Sequence, residues 1–227
     1  MSEQLYAVLT GDIAKSSRFA GNDRRILLDK LKMAFQKTEQ ILGSEVIAFP
    51  FDIFRGDSFQ GVLNEADKAL KATVLIRASM RSAYTTTLKN AVDTRIAVGI
   101  GAISHLPDKS SGEGDGEAYR SSGPFLDKMT KHARMTSIVT PWPEINAELN
   151  VECAMLDTII ARWTAVQADV VIEYLIGKTQ EEMADKFEIS QPAVKKRIAS
   201  ANIYQLELLM KRFDRFFKPD NYKPGRL

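Results

Sequence analysis

Apolar residues come in two rhythms along this chain, and together they outline most of its elements. Leu5 to Leu9 is a nearly unbroken apolar run ending at Thr10-Gly11-Asp12, which predicts a buried strand. Asn22 or Asp23 then caps a helix carrying Ile26, Leu27, Leu31, Phe35 and Leu42, and Gly43 follows as its stop. Val46–Phe54 and Ser58–Leu63 read as strands joined through Arg55-Gly56-Asp57, a link short enough to require an antiparallel hairpin. A second long helix is expected from Asn64 to about Leu88, with Ile76, Met80, Tyr84 and Leu88 four apart. Arg95 to Ile103 is another buried strand, with Gly99 and Gly101 inside it. The polar loop SHLPDKSSGEGDGEAYRSSG follows, then a helix around Phe125 to His132 and a short strand, Thr136 to Thr140.

The predicted order βαββαβαβ describes an α+β sandwich. Helices cover a mostly antiparallel sheet, on a plan related to the ferredoxin-like fold. Pro141-Trp142-Pro143 closes this part. Ile145 to Ile176 reads as helical, and the chain is expected to stay helical to Phe217. The expected domains are therefore residues 1–142, a helical unit over 143–218, and a loose tail over 219–227.

Within the helical unit, Lys178 to Ile198, KTQEEMADKFEISQPAVKKRI, has finer detail. Thr179 caps a first helix, with Glu181 and Glu182 in its first turn. Met183, Ala184 and Phe187 form the inner face, and Glu188, Ile189 and Ser190 make a turn. Ser190 caps a second helix, and Pro192 sits in its first turn, where a missing N–H costs little. Val194 and Ile198 lock this helix onto the first, with Ala184 small at the crossing. Lys195, Lys196 and Arg197 then leave on the outer face, with Gln191 as a candidate base reader. This is the pattern of a helix-turn-helix whose second helix enters a major groove and touches phosphates. The plainer alternative is an αα-hairpin with a solvated basic face. Glu188 stands where the turn glycine is usual, so the turn forms without the residue that most easily takes a positive φ.

The final helix carries Ile203, Leu206, Met210, Phe213 and Phe217 in a heptad seam. It either packs on the helix 145–176 or pairs with a second subunit. A small helical unit needs a core of its own, which favours self-packing. A homodimer through the seam would present two recognition helices to a two-fold operator.

Charge sharpens the division. The net charge is +2, but Ile189 to Leu227 holds nine Lys or Arg against three Asp or Glu, so the other 188 residues are net −4. A basic end on a slightly acidic body suits a nucleic-acid-binding module attached to something else. The 44% apolar and 26% charged composition is that of an ordinary globular protein. No apolar run approaches the roughly 18 residues of a membrane span, no signal peptide is visible, and a single cysteine allows no internal disulfide. Together these predict a cytoplasmic protein without a membrane partner. Cys153 lies in an apolar run and reads as a core residue.

Candidate chemistry concentrates in the first part. Asp12 ends the first strand and Asp57 sits at the hairpin tip. With the hairpin beside the first strand, the two carboxylates point at one spot. Converging carboxylates suit a hard cation such as Mg²⁺, which takes phosphate oxygens as further ligands. Ala14, Lys15, Ser16 and Ser17, after Asp12, offer a positive charge and backbone N–H groups to a phosphate. Otherwise Asp12 caps a turn and Asp57 is an ordinary tip residue. His105 and His132 lack metal-ligand spacing. The glycine-rich stretch 110–124 either cradles phosphate or is a mobile surface loop. No nucleophile elbow or Walker loop is present.

The segments LTGDIAKSS, IFRGDSFQGVL and RIAVGIGAIS resemble, in this order, the catalytic domains of class III nucleotidyl cyclases. With GEGDGEAYRSSG and TQEEMADKFEISQPAVKKRI added, the chain resembles the SatD-like family of bacterial proteins over most of its length. The C-terminal part is separately similar to sigma-factor region four. The cyclase likeness implies Asp12 and Asp57 as a pair holding Mg²⁺ or Mn²⁺. Cyclases also carry a late helix with an asparagine and an arginine four residues apart. In GEAYRSSGP, Arg120 replaces the first and Pro124 the second, which leaves Arg120 as a ligand-binding candidate and favours sensing over cyclisation. The expectation is a DNA-binding transcriptional regulator whose first domain senses a nucleotide or other phosphate ligand or mediates association. The alternative is a metal-dependent cyclase-type enzyme, and a third reading is a structural interaction module.

Overall fold

The structure, a computed structural model, describes residues 4–83, 92–107, 113–129 and 134–217. Its strands are β1 (Tyr6–Ile13), β2 (Ile47–Arg55), β3 (Ser58–Leu63), β4 (Thr94–Gly101), β5 (Ile103–His105), β6 (Asp115–Gly116) and β7 (Thr136–Val139). The helices are α1 (Gly21–Leu42), α2 (Ala69–Ser82), α3 (Glu117–Met129), α4 (Pro143–Ala161), α5 (Ala165–Leu175), α6 (Gln180–Phe187), α7 (Gln191–Ser200) and α8 (Ile203–Phe217).

The apolar run of β1 takes the centre of a five-stranded sheet ordered β2-β3-β1-β4-β7. Its neighbours β3 and β4 are antiparallel to it, β2 continues antiparallel from β3, and β7 runs parallel to β4. The fold is therefore mixed α+β with a mostly antiparallel sheet, as the predicted order requires. Pro50 falls in β2, an edge strand, where a lost donor is tolerated. A small ribbon, β5 with β6, was not foreseen in the polar loop.

Leu27, Leu31 and Phe35 of α1 are buried, and Phe35 stacks on Phe51 and tilts against Phe59 at centroid separations of 5.5 and 4.9 Å. Beside α1 lies α2, whose residues from Ala72 to Ala78 are all buried. A helix buried all round needs cover on every side, and α5 supplies the outer layer. The other face of the sheet takes α3, which packs on β4 and β1. One continuous apolar cluster runs from Ala7 through α2 and α5 to Phe217.

Several boundaries move. The first helix starts at Gly21 after Ala20 and has no side-chain cap, so neither Asn22 nor Asp23 caps it. Residues 66–68 form a 3₁₀ turn before α2; Tyr84 and Leu88 lie outside the described residues. The helix expected from Phe125 begins at Glu117 and runs through Gly123 and Pro124, because Ala118 and Ser122 are drawn onto the sheet and fully buried. His132 and the tail 219–227 also fall outside the described residues. The helix expected over 145–176 breaks at Arg162–Thr164, where Thr164 and Gln167 form a capping box.

The seam of α8 faces its own chain, with Ile203, Leu206, Phe213 and Phe217 buried. Helix α8 is tied to α4 by the fork of Arg212 on Glu148, at 2.7 and 3.0 Å. That fork lowers the pKa of Glu148, while burial and the neighbouring Glu148 push Glu152 up to about 7 from 4.5. The folded state then holds a proton that the unfolded state releases. Stability is fully present below pH 4.5 and falls as pH rises to about 7. Glu152 is half-buried, so screening reduces the loss to about 1 kcal/mol. E152Q is expected to flatten this slope and stabilise the protein at pH 8, read as urea midpoints at pH 5 and pH 8; parallel curves for the two proteins would refute it. Cys153, one residue on, is a buried core thiol pushed up to about 12 by burial. Among the described residues, no helix is long and apolar enough to cross a membrane.

Candidate functional site

Antiparallel pairing sets Asp12 opposite Arg95, and the register makes them partners. Arg95 donates from Nε and Nη2 to the two carboxylate oxygens of Asp12 at 2.8 and 2.7 Å. Asp57, after Gly56 at φ 65°, leans back on the first strand and accepts the Ile13 N–H at 3.1 Å. Its other oxygen lies 3.7 Å from Nη2 of Arg24 on α1. Asp57 is thus tied to the residue after Asp12 on the first strand, while the Asp12 carboxylate is taken by Arg95.

What they meet was not expected. Each carboxylate faces a guanidinium, and Asp12 is gripped by both prongs of Arg95. Among the described residues, no group of three or more His, Cys, Asp or Glu is placed to hold a metal. A divalent ion here has to displace the Arg95 fork. At an effective dielectric of about 20, a guanidinium 4 Å from a dication opposes it by roughly 8 kcal/mol. As arranged, Asp12 and Asp57 fit two arginines better than Mg²⁺ or Mn²⁺.

The phosphate candidates divide. Lys15 is exposed with left-handed backbone at φ 59°, opening the 3₁₀ turn Ser16–Arg18 beside the carboxylates. The Ala14 N–H, however, is spent on the Asp93 carbonyl at 2.9 Å. Arg120 does not join them. It pairs with Asp115 of β6 at 2.7 Å, near where α3 crosses β4 at Gly99. That is four residues, about 13 Å, along the strand from Arg95. His105 stands across the ribbon from Asp115, a pairing that sequence spacing hides.

Inward of Asp12, a buried polar line links sheet to helix. Gln60 donates to Thr10 at 2.7 Å, Thr10 to Ser122 at 3.0 Å, and Ser122 to the Tyr119 carbonyl. It anchors α3 over the carboxylate end of the sheet.

A second candidate surface lies on α6 and α7. Thr179 and Glu182 form the full capping box that opens α6. Glu188 does take the left-handed turn conformation, at φ 52°. Ser190 occupies the N-cap of α7 without a side-chain cap bond, and its carbonyl receives the Ala193 and Val194 N–H groups instead. Gln191, Lys195 and Lys196 are exposed. Arg197 is only half-exposed and lies over the Phe187 ring at 5.8 Å, so it is turned inward rather than outward. The far end of α7 is held from below: Gln167 of α5 bonds Ser200 at 2.8 Å, and the Trp163 indole N–H bonds the Ala201 carbonyl at 2.9 Å.

Sequence reasoning missed the residue that joins these parts. Arg77 of α2 is fully buried, donating to Asp93 at 3.0 and 2.8 Å, to Thr136 at 2.8 Å and to Asp157 of α4 at 2.5 Å. One turn on, Arg81 donates to Asp93 and to the Ala161 and Trp163 carbonyls closing α4. The available signal was an arginine inside an otherwise apolar helical stretch.

The sequence model of the SatD family matches residues 6–212. No curated protein matches the chain. Among solved structures, 15 chains match. One is the active GGEEF domain of a diguanylate cyclase from Vibrio cholerae, 17% identical, with 60% of this chain and 83% of that chain covered and a TM-score of 0.44. Another is a bacterial light-regulated adenylyl cyclase, 13% identical, with 61% and 77% covered and a TM-score of 0.43.

Proposed function

The chain belongs to the SatD family, and we propose that it is a two-part DNA-binding regulator. The carrying observation is α7: it presents Gln191, Lys195 and Lys196 to solvent while α5, α6 and Trp163 hold its other side. A rigidly backed, basic, exposed helix reached through a tight turn is what major-groove entry needs. In this reading α6 and α7 form the helix-turn-helix, and the sheet end around Asp12, Asp57 and Lys15 is a ligand-sensing site in a cyclase-like domain.

The experiment is titration of a 30-bp mixed-sequence duplex at several salt concentrations. K195A/K196A/R197A is expected to weaken binding roughly 10- to 100-fold and to reduce the slope of log K against log salt by about 2. R197A alone has the smallest effect, because its guanidinium is partly spent on Phe187. Binding and slope unchanged in the triple variant would sink the proposal.

A second reading, a metal-dependent nucleotidyl cyclase-type enzyme using Asp12 and Asp57, is supported by Asp57 lying against the strand that carries Asp12. It requires turnover of a nucleoside triphosphate with Mg²⁺ or Mn²⁺ that D57A abolishes. Absence of product with all four nucleotides rejects it. Loss of both activities would leave a structural interaction module.

A further inference from the structure

Between α3, β7 and α4 lies a cleft that neither reading uses. It consists of two adjoining hollows of about 530 and 290 Å³, which share Phe125, Arg134, Ser137 and Asn150 as lining. These volumes fit small molecules, whose sites commonly measure about 300–1,000 Å³. Among the described lining residues the charged ones are Lys128 and Arg134, both cations. The Asn150 amide oxygen accepts from Arg134 Nη1, which fixes the guanidinium at the mouth. Lys128 Nζ stands 4.9 Å from the centre of the Phe125 ring, so a cation and an aromatic face share one wall. Deeper in, the buried Ile138 and Cys153 give an apolar floor.

We propose that this cleft binds a small organic anion: a phosphate or carboxylate carried on a flat apolar body. The anion sits between Lys128 and Arg134, where a guanidinium gives paired donors and an ammonium a point charge. The body lies against Phe125 and the apolar floor. Asn146, also on the lining, is not a recognition group, since its amide is spent on Thr140 at 2.7, 2.9 and 2.8 Å. Specificity falls instead to the Ser137 hydroxyl and the amide N–H side of Asn150, whose oxygen is held by Arg134.

The test is an NMR titration of the full chain with phenyl phosphate and with benzoate, beside inorganic phosphate and phenol as single-feature controls. Saturable shifts are expected at the Phe125, Ser137 and Asn150 amides with phenyl phosphate or benzoate, and whichever binds more tightly identifies the anion. Phosphate and phenol alone bind at least tenfold more weakly. K128Q/R134Q is expected to weaken binding at least tenfold. A147L, which narrows the inner hollow without touching charge, should do the same. No saturable shift at these amides with either probe, or affinity unchanged by both variants, would overturn the proposal. Duplex binding is read separately, so its failure and this one are distinguishable.

Discussion

R77M is expected to lower the stability of the protein by about 3–5 kcal/mol, the usual cost of breaking a buried ion pair by removing one partner. Arg77 is 0% exposed, and Asp93 and Asp157 are only 11% and 16% exposed at the side chain. Without the guanidinium, Asp157 loses its cation and Asp93 keeps only Arg81 at 3.4 Å, in a poorly solvated space. The damage spreads because Asp157 also accepts the Met135 and Thr136 N–H groups at 2.9 and 3.1 Å, fixing the entry to β7. Urea unfolding followed by circular dichroism gives the readout: a lower midpoint at an unchanged m-value. Adding D93N to R77M removes one stranded charge and is expected to recover part of the loss. A shift below about 1 kcal/mol in R77M would show that the clamp holds little.

G99A is the second large expectation. A Cβ at Gly99 would lie 2.0 Å from the Ala118 carbonyl oxygen and 2.9 Å from the Ser122 nitrogen. Both are backbone atoms of α3, so no side chain can turn aside and the helix must lift. Overpacking of this kind costs about 1–3 kcal/mol, and a clash with rigid backbone belongs at the upper end. Lifting α3 also loosens the Ser122–Thr10 hydrogen bond and the two hollows that α3 borders. G123A is the paired control: it lies within the same helix, a Cβ there meets nothing within 4 Å, and alanine is the better helix former. It is expected to be neutral or stabilising by up to about 1 kcal/mol. Equal thermal midpoints for the two variants would remove the case for a close approach at Gly99.

The sheet and its element order were legible because β1, β3 and β4 are short apolar runs bounded by Gly and Asp, and their length and flanking turn residues identify them as strands. The placement of the hairpin beside the first strand, with Asp57 bonded to the Ile13 N–H, was legible too. The Arg95 fork was not, because only strand register places Arg95 across from Asp12. Helix α3 was misread at Gly123-Pro124, residues that usually end helices; packing of Ala118 and Ser122 outweighed local preference. The break before α5 was readable from Thr164 and Gln167, a capping box inside an apolar stretch. Arg77 stayed hidden because its partners lie 16 and 80 positions away, and no local pattern reports such a distance.

The all-round burial of α2 has a consequence for how the chain is made. Translation delivers Ser82 about 80 residues before the α5 layer that covers it. At roughly 5–20 residues per second, that helix waits some 4–16 s with an apolar side uncovered. During that interval the ribosome holds a half-built sandwich whose stickiest surface is already complete. Only the arrival of α5 covers that surface.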